Sequence, residues 1–167
     1  MTRVLLGLGG NVGDVSAAFA AATSALREHV GVLRASSTWR SAPIGLPQPD
    51  FLNAALLIDT DEHPFRLLSL CHALEAAAGR DRSRETRWGP RPLDLDLLMA
   101  EGVVVVSREL TLPHPRLHQR RFALLPGAEL AADWVHPRLH HSLAELAAVL
   151  DPATQPCERL AGPSIGI

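Results

Sequence analysis

The stretch Arg87-Trp88-Gly89-Pro90-Arg91-Pro92-Leu93-Asp94-Leu95-Asp96-Leu97-Leu98-Met99 carries more polar chemistry than a stable core requires. Its second half alternates. A strand turns successive side chains to opposite faces, so Asp94 and Asp96 share one face with Cα atoms roughly 6.5 to 7 Å apart, while Leu93, Leu95 and Leu97 take the other. Two carboxylates held that close repel unless a positive charge sits between them. A hard divalent cation with oxygen ligands is the natural occupant, and magnesium is the first expectation.

Immediately upstream, Arg80, Arg82, Arg84, Arg87 and Arg91 place five guanidinium groups within twelve residues, offset only by Asp81 and Glu85. Such groups bind phosphate oxygens in bidentate fashion. A basic loop feeding an acidic strand therefore describes a site for a metal-bound polyphosphate, in which the acids hold the metal and the arginines hold the anion. Trp88 adds a stacking surface, and Gly89-Pro90 a fixed bend. Taken singly, paired aspartates are usually solvated or salt-bridged, and an arginine-rich loop is usually only a soluble loop. Their adjacency sets this stretch apart.

The rest of the chain bounds the class. A length of 167 residues suffices for one buried core and is short for two domains. Residues 1–150 are read as a single domain, and 151–167, with Pro152, Pro156, Gly162 and Pro163, as an irregular tail. No apolar run approaches the roughly 18 residues of a membrane span. Met1-Thr2-Arg3 passes straight into Val4-Leu5-Leu6, which leaves no room for a signal peptide, so a cytoplasmic address is expected. Cys71 and Cys157 form no metal or redox spacing. The net charge of -2, with the positive charge concentrated in one loop, argues against a nucleic-acid surface. Small-molecule substrates remain. All 16 basic residues are arginine, which excludes a P-loop lysine, a Schiff base and a lysine general base.

In order, the pattern predicts a buried strand over residues 3–10, a helix capped by Asp14 or Ser16 and running to His29, a strand from Val32 to Trp39, and a loop from Arg40 to Asp50. A strand over Phe51 to Thr60 follows, then a helix from His63-Pro64 to Ala78 stopped by Gly79. After the arginine loop come the strand Leu93 to Ala100, a turn at Glu101-Gly102 into Val103 to Val106, the short strand Leu110 to Leu112, and a last helix over Ser142 to Leu150. Strand, helix, strand, strand, helix, strand is the order of an α+β ferredoxin-like sandwich, an antiparallel sheet with helices packed on one face.

The run Arg87-Trp88-Gly89-Pro90-Arg91-x-Leu93-Asp94-Leu95-Asp96 resembles the signature of the 6-hydroxymethyl-7,8-dihydropterin pyrophosphokinases of folate synthesis. It departs only at Pro92, where Thr is more usual, and the likeness extends from the first strand to about Leu150. The resemblance implies the ferredoxin-like fold and transfer of the β,γ-pyrophosphoryl unit of ATP to the hydroxymethyl group of a dihydropterin, with release of AMP. It implies that Asp94 and Asp96 hold two magnesium ions and that Arg80, Arg82 and Arg91 serve catalysis. The loop is one residue longer here, so Arg82 and Arg84 both stand for the second loop arginine.

The resemblance further implies nucleotide contacts from His72, Glu75, Trp88, Arg91, Leu97, Thr111, His114 and Arg120. For the pterin it implies Ser41, Ala42, Ile44, Phe51, Asn53, Trp88, Asp96 and Phe122. A monomer is expected, with the sequence leaving monomer and dimer open. Gly10 stands where the family has Ser, and Pro115 where it has Tyr.

Three other readings stay open on the residues alone. Gly7-x-Gly9-x-x-x-Gly13 between a strand and a helix is a relaxed dinucleotide-binding turn, with Arg40 placed for a 2'-phosphate. The basic loop also suits a non-catalytic ligand or RNA module. The repeated His-Pro-Arg-Leu-His at 114–118 and 136–140 could supply zinc ligands, although its spacing provides no closing ligand.

Overall fold

The computed structural model describes residues 1–162, 164 and 165. Strand β1 (Thr2–Gly10) leads into helix α1 (Val15–Leu26), where Asp14 caps the first turn by accepting the Ala17 N–H at 3.0 Å. The single strand expected over Val32 to Trp39 is divided into β2 (Gly31–Ala35) and β3 (Trp39–Ser41). Ser36 causes the break, since its Oγ accepts the Ala55 N–H at 2.8 Å in place of a ladder carbonyl. Strand β4 (Phe51–Thr60) has the expected bounds. Helix α2 (Pro64–Ala77) begins with Pro64 in its first turn and gives way to Gly79, whose φ of +93° favours glycine.

Strand β5 (Asp94–Ala100) carries the two acids, and β6 (Val105–Val106) pairs with β7 (Thr111–Leu112) apart from the main sheet. After a 3-10 turn at Leu117–Gln119 come helix α3 (Arg121–Ala131), helix α4 (Leu143–Ala148) and strand β8 (Cys157–Arg159). The main sheet runs β5-β1-β4-β3-β8, with β2 also on β4, and every pairing is antiparallel. The α+β, ferredoxin-like expectation holds for this core.

Helices cover both faces of the sheet rather than one. Leu6, Ile58, Leu95 and Leu97 pack with Phe19 and Leu26 of α1 and Leu67 of α2. On the other face, Leu5, Leu57 and Met99 pack with Leu124 and Leu130 of α3 and Leu143 of α4. Pro126 and Gly127 conceal α3 in the sequence, because they read as helix breakers. The helix survives Pro126 because burying Leu124 and Leu130 stabilises it by about 2 kcal/mol each. Gly127 admits close approach to the sheet, as a Cβ there would lie 3.0 Å from Leu5 Cδ2.

The reading of 151–167 as irregular fails at β8. Cys157 and Arg159 pair with Ser41 and Trp39, closing an otherwise open edge of β3, and Gln155 Oε1 accepts the Arg121 N–H at 2.9 Å at the start of α3. Pro163 lies outside the described residues. Among those residues no helix is long and apolar enough to cross a membrane.

Candidate active site

Asp94 and Asp96 do share a face of β5, since Leu93, Leu95 and Leu97 all enter the core beneath α1 and α2. In the sheet register they stand opposite Gly9 and Gly7 of β1, so no side chain confronts either acid. Gly7 and Gly9 thus lie inside a strand flanked on both sides by antiparallel neighbours, which removes the dinucleotide-turn reading. Arg40, on β3 two strands away from β1, is paired with Glu158 at 2.6 Å. A bulge at Leu98 then turns both Leu98 and Met99 toward α3, so the acidic face continues as apolar core.

A cleft of about 210 Å³ opens over this face. It is lined by Ser41, Ala42, Ile44, Phe51, Asn53 and Phe122, and by Trp88, Arg91, Asp94, Asp96, His114 and Arg120. Twelve of the side chains singled out in the sequence therefore converge on one cavity. Asn53 is buried, and its amide donates to Ser41 Oγ at 2.8 Å, which leaves Oδ1 without a donor among the described residues. An aromatic pair and a fixed polar edge suit a flat heterocycle with hydrogen-bonding groups.

The six others lie elsewhere. Leu97 sends its side chain into the core beneath α1 and α2, and its neighbour Leu98 lines the cleft instead, for the pleat allows only one of the two to face it. His72 is exposed on α2, on the far face of the sheet, and Thr111 sits in β7 with its hydroxyl directed to the Ser107 carbonyl at 3.4 Å. Glu75 is buried, accepting the free edge N–H of Leu95 at 2.8 Å and ion pairs from Arg80 and Arg82 at 2.7 and 2.6 Å.

Arg80 is buried among Glu75, Glu85 and Asp94, with its Asp94 contact at 2.6 Å. Arg82 points to Glu75 and Arg84 only to Asp81, so neither lines the cleft.

Electrostatics separate the two acids. Burial opposes charge on Asp94, but Arg80 and Arg91 outweigh it and hold the carboxyl below its ordinary range. Burial pushes the Asp96 carboxyl up to about 7; the Asp94 charge adds to the rise and Arg120 opposes it. Among the described residues the Asp96 carboxylate has no hydrogen bond or ion pair. An acid so placed lacks a cation, and its donors are hard oxygens. No cluster of three or more His, Cys, Asp or Glu gathers for a metal among the described residues, so the remaining ligands would come from phosphate and water, as magnesium accepts. The donor set fits that ion. The two His-Pro-Arg-Leu-His runs bring His118 and His136 edge to face, with ring centres 6.1 Å apart, without further ligands among the described residues.

The sequence reading missed Arg116 and Gln48, and named Arg87 only as one of five loop arginines. Arg116 and Arg87 line the cleft beside Trp88, with guanidinium carbons 5.2 and 5.5 Å from its ring centre. Gln48 donates to the Trp88 carbonyl at 2.7 Å and fixes the loop that presents the indole. Only the charge of the two arginines was visible beforehand, since their direction depends on how two loops pack.

A family model described as 7,8-dihydro-6-hydroxymethylpterin-pyrophosphokinase matches residues 5–132. The chain is 44% identical over 156 residues to the 2-amino-4-hydroxy-6-hydroxymethyldihydropteridine pyrophosphokinase of Methylorubrum extorquens, covering 92% of this chain and 96% of that one. It is 40% identical over 128 residues to the Bacillus subtilis protein of the same name, covering 75% of each. A solved Plasmodium falciparum HPPK-DHPS, crystallised with pteroate, superposes with a TM-score of 0.70 at 12% identity over 88% of this chain. This chain spans 42% of that longer protein, and the likeness is one of fold.

Proposed function

The chain belongs to the 7,8-dihydro-6-hydroxymethylpterin-pyrophosphokinase family, and from that membership and its cleft we propose that it transfers pyrophosphate from ATP to the hydroxymethyl group of 6-hydroxymethyl-7,8-dihydropterin, releasing AMP, in folate biosynthesis. One observation carries the reading to the residues. A pair of acids, one of them without an ion-pair partner among the described residues, lines the same cleft as four arginines, two phenylalanines and a buried amide.

Phe51 and Phe122 hold the pterin ring and Asn53 reads its edge, with Ser41, Ala42 and Ile44 as the adjoining wall. Arg91 and Arg120, with the His114 imidazole, hold the polyphosphate and oppose the charge that grows on the transferred group and on AMP. Asp94 and Asp96 would hold magnesium, two ions by the family likeness. The metal, when bound, neutralises phosphate charge and polarises the phosphorus centre under attack. Fixing both substrates in one cleft gives the proximity that such a transfer needs. Arg80 and Arg82 act from the loop, Arg80 by fixing Asp94.

All lining residues of the cleft fall within 1–150, which we take as the active unit, and a single chain completes the site, so a monomer suffices. An ATP-consuming reaction and two unpaired cysteines fit the cytoplasm. Incubation with ATP, magnesium and hydroxymethyl-dihydropterin should yield AMP and the pyrophosphorylated pterin. ADP, or no nucleotide turnover, would overturn the reading.

A further inference from the structure

Arg87, Arg116 and Arg120 surround one indole, their guanidinium carbons 5.5, 5.2 and 6.0 Å from the Trp88 ring centre. Of the carboxylates nearby, Glu75, Asp81, Glu85 and Asp94 pair with Arg80, Arg82, Arg84 and Arg91, and Asp96 pairs with none, so among the described residues these three have no acidic partner within ion-pair distance. Burial lowers the Arg120 pKa; Asp96 opposes this, and the Arg116 charge adds to the lowering. Three guanidinium groups at one cleft, none of them held in an ion pair among the described residues, are complementary to an anion rich in oxygens.

Arg116 is held in place by its backbone. Its N–H donates to His114 Nδ1 at 3.1 Å, the His114 N–H donates to the Leu98 carbonyl at 2.8 Å, and Leu117 beside it is fully buried. Accepting that bond keeps His114 Nδ1 unprotonated, and burial together with Arg120 drives the imidazole pKa down to about 4. His114 is therefore neutral near pH 7 and can donate only through Nε2. Positive charge around the indole comes from Arg87, Arg116 and Arg120 rather than from His114.

We propose that Arg116 is a nucleotide-binding residue, which holds phosphate oxygens of ATP from the cleft wall facing Trp88. The assignment rests on the pyrophosphokinase reading but can fail separately from it. Arg116→Met keeps a stem against the indole and removes the charge, whereas Arg116→Lys keeps the charge.

Calorimetric titration with magnesium and α,β-methylene-ATP should show about ten- to hundredfold weaker binding to Arg116→Met, and partial recovery in Arg116→Lys. In steady state the ATP KM should rise by a similar factor, with the pterin KM unchanged. Equal affinity of the parent and Arg116→Met for the analogue would overturn the assignment. So would weakening confined to the pyrophosphorylated pterin product, or a Lys variant as impaired as Met, which would mark a packing role. A parent enzyme that binds the analogue but releases no AMP would instead sink the proposed reaction and leave this titration to decide Arg116.

Discussion

Asn11 and Arg91 hold each other by two hydrogen bonds, from the Asn11 N–H to the Arg91 carbonyl and from the Arg91 N–H to Asn11 Oδ1, each 2.9 Å long. The Asn11 amide also donates to Gln48 Oε1 and to the Pro49 carbonyl, both at 2.9 Å. One buried side chain just beyond β1 thus ties together the two loops that flank the cleft.

Asn11→Ala leaves a buried N–H and two acceptors without partners, and should lower unfolding free energy by about 2 to 3 kcal/mol. Asn11→Asp keeps the acceptor for Arg91 and loses both donations, so it should fall between the two. Urea denaturation of the three proteins checks the order, and an unchanged midpoint for Asn11→Ala would show that the clasp contributes nothing.

Asp96 should be a stability liability in the absence of metal. Its folded pKa of about 7 lies above its unfolded value near 3.8. The folded state therefore binds the extra proton between these values, and stability is lost as pH rises through about 7. Asp96→Asn should remove that loss, leaving the variant roughly 2 kcal/mol more stable than the parent at pH 8 in EDTA while its turnover falls below detection. Melting curves at pH 5 and pH 8 test the sign.

Arg80 and Arg82 should differ in kind. Arg80 is enclosed by three carboxylates, and Arg80→Ala leaves them uncompensated, at a cost of roughly 3 to 5 kcal/mol. Arg82 is half exposed and makes one ion pair, so Arg82→Ala should shift stability by no more than about 1 kcal/mol. Thermal melts beside activity assays separate the two, and equal destabilisation would contradict the burial argument.

His114 should couple acid to unfolding. Its folded pKa of about 4 lies below the unfolded value near 6.5, so the unfolded chain takes the proton first, and stability falls as pH drops from about 6.5 to 4. His114→Gln should flatten that limb of the stability profile, which denaturant titrations at half-unit pH steps would reveal.

Much of the site was legible because its residues obey local rules. The two-residue period of β5 places both acids on one face whatever packs against it, and the Phe51 to Thr60 strand is apolar enough to fix its own bounds. Pairings across the chain were not legible. Glu75 reads as a carboxylate at a helix end, yet it meets Arg80 and an edge N–H of β5 only because α2 packs beneath that strand. Gly10 and Pro92, two departures from the family pattern, are neighbours: a Cβ on Gly10 would lie 2.7 Å from the Pro92 carbonyl oxygen.

Alternation, caps and turn residues, which act between near neighbours, were enough for the sequence to determine the antiparallel α+β core, the shared face of Asp94 and Asp96 and the basic character of the loop before them. Tertiary structure alone decided that α3 and α4 cover the second face, that 157–159 closes the sheet edge, and which arginines point into the cleft rather than at acids. Those outcomes depend on where distant segments meet, and a guanidinium on a long flexible stem takes whichever carboxylate or cavity the fold brings within reach.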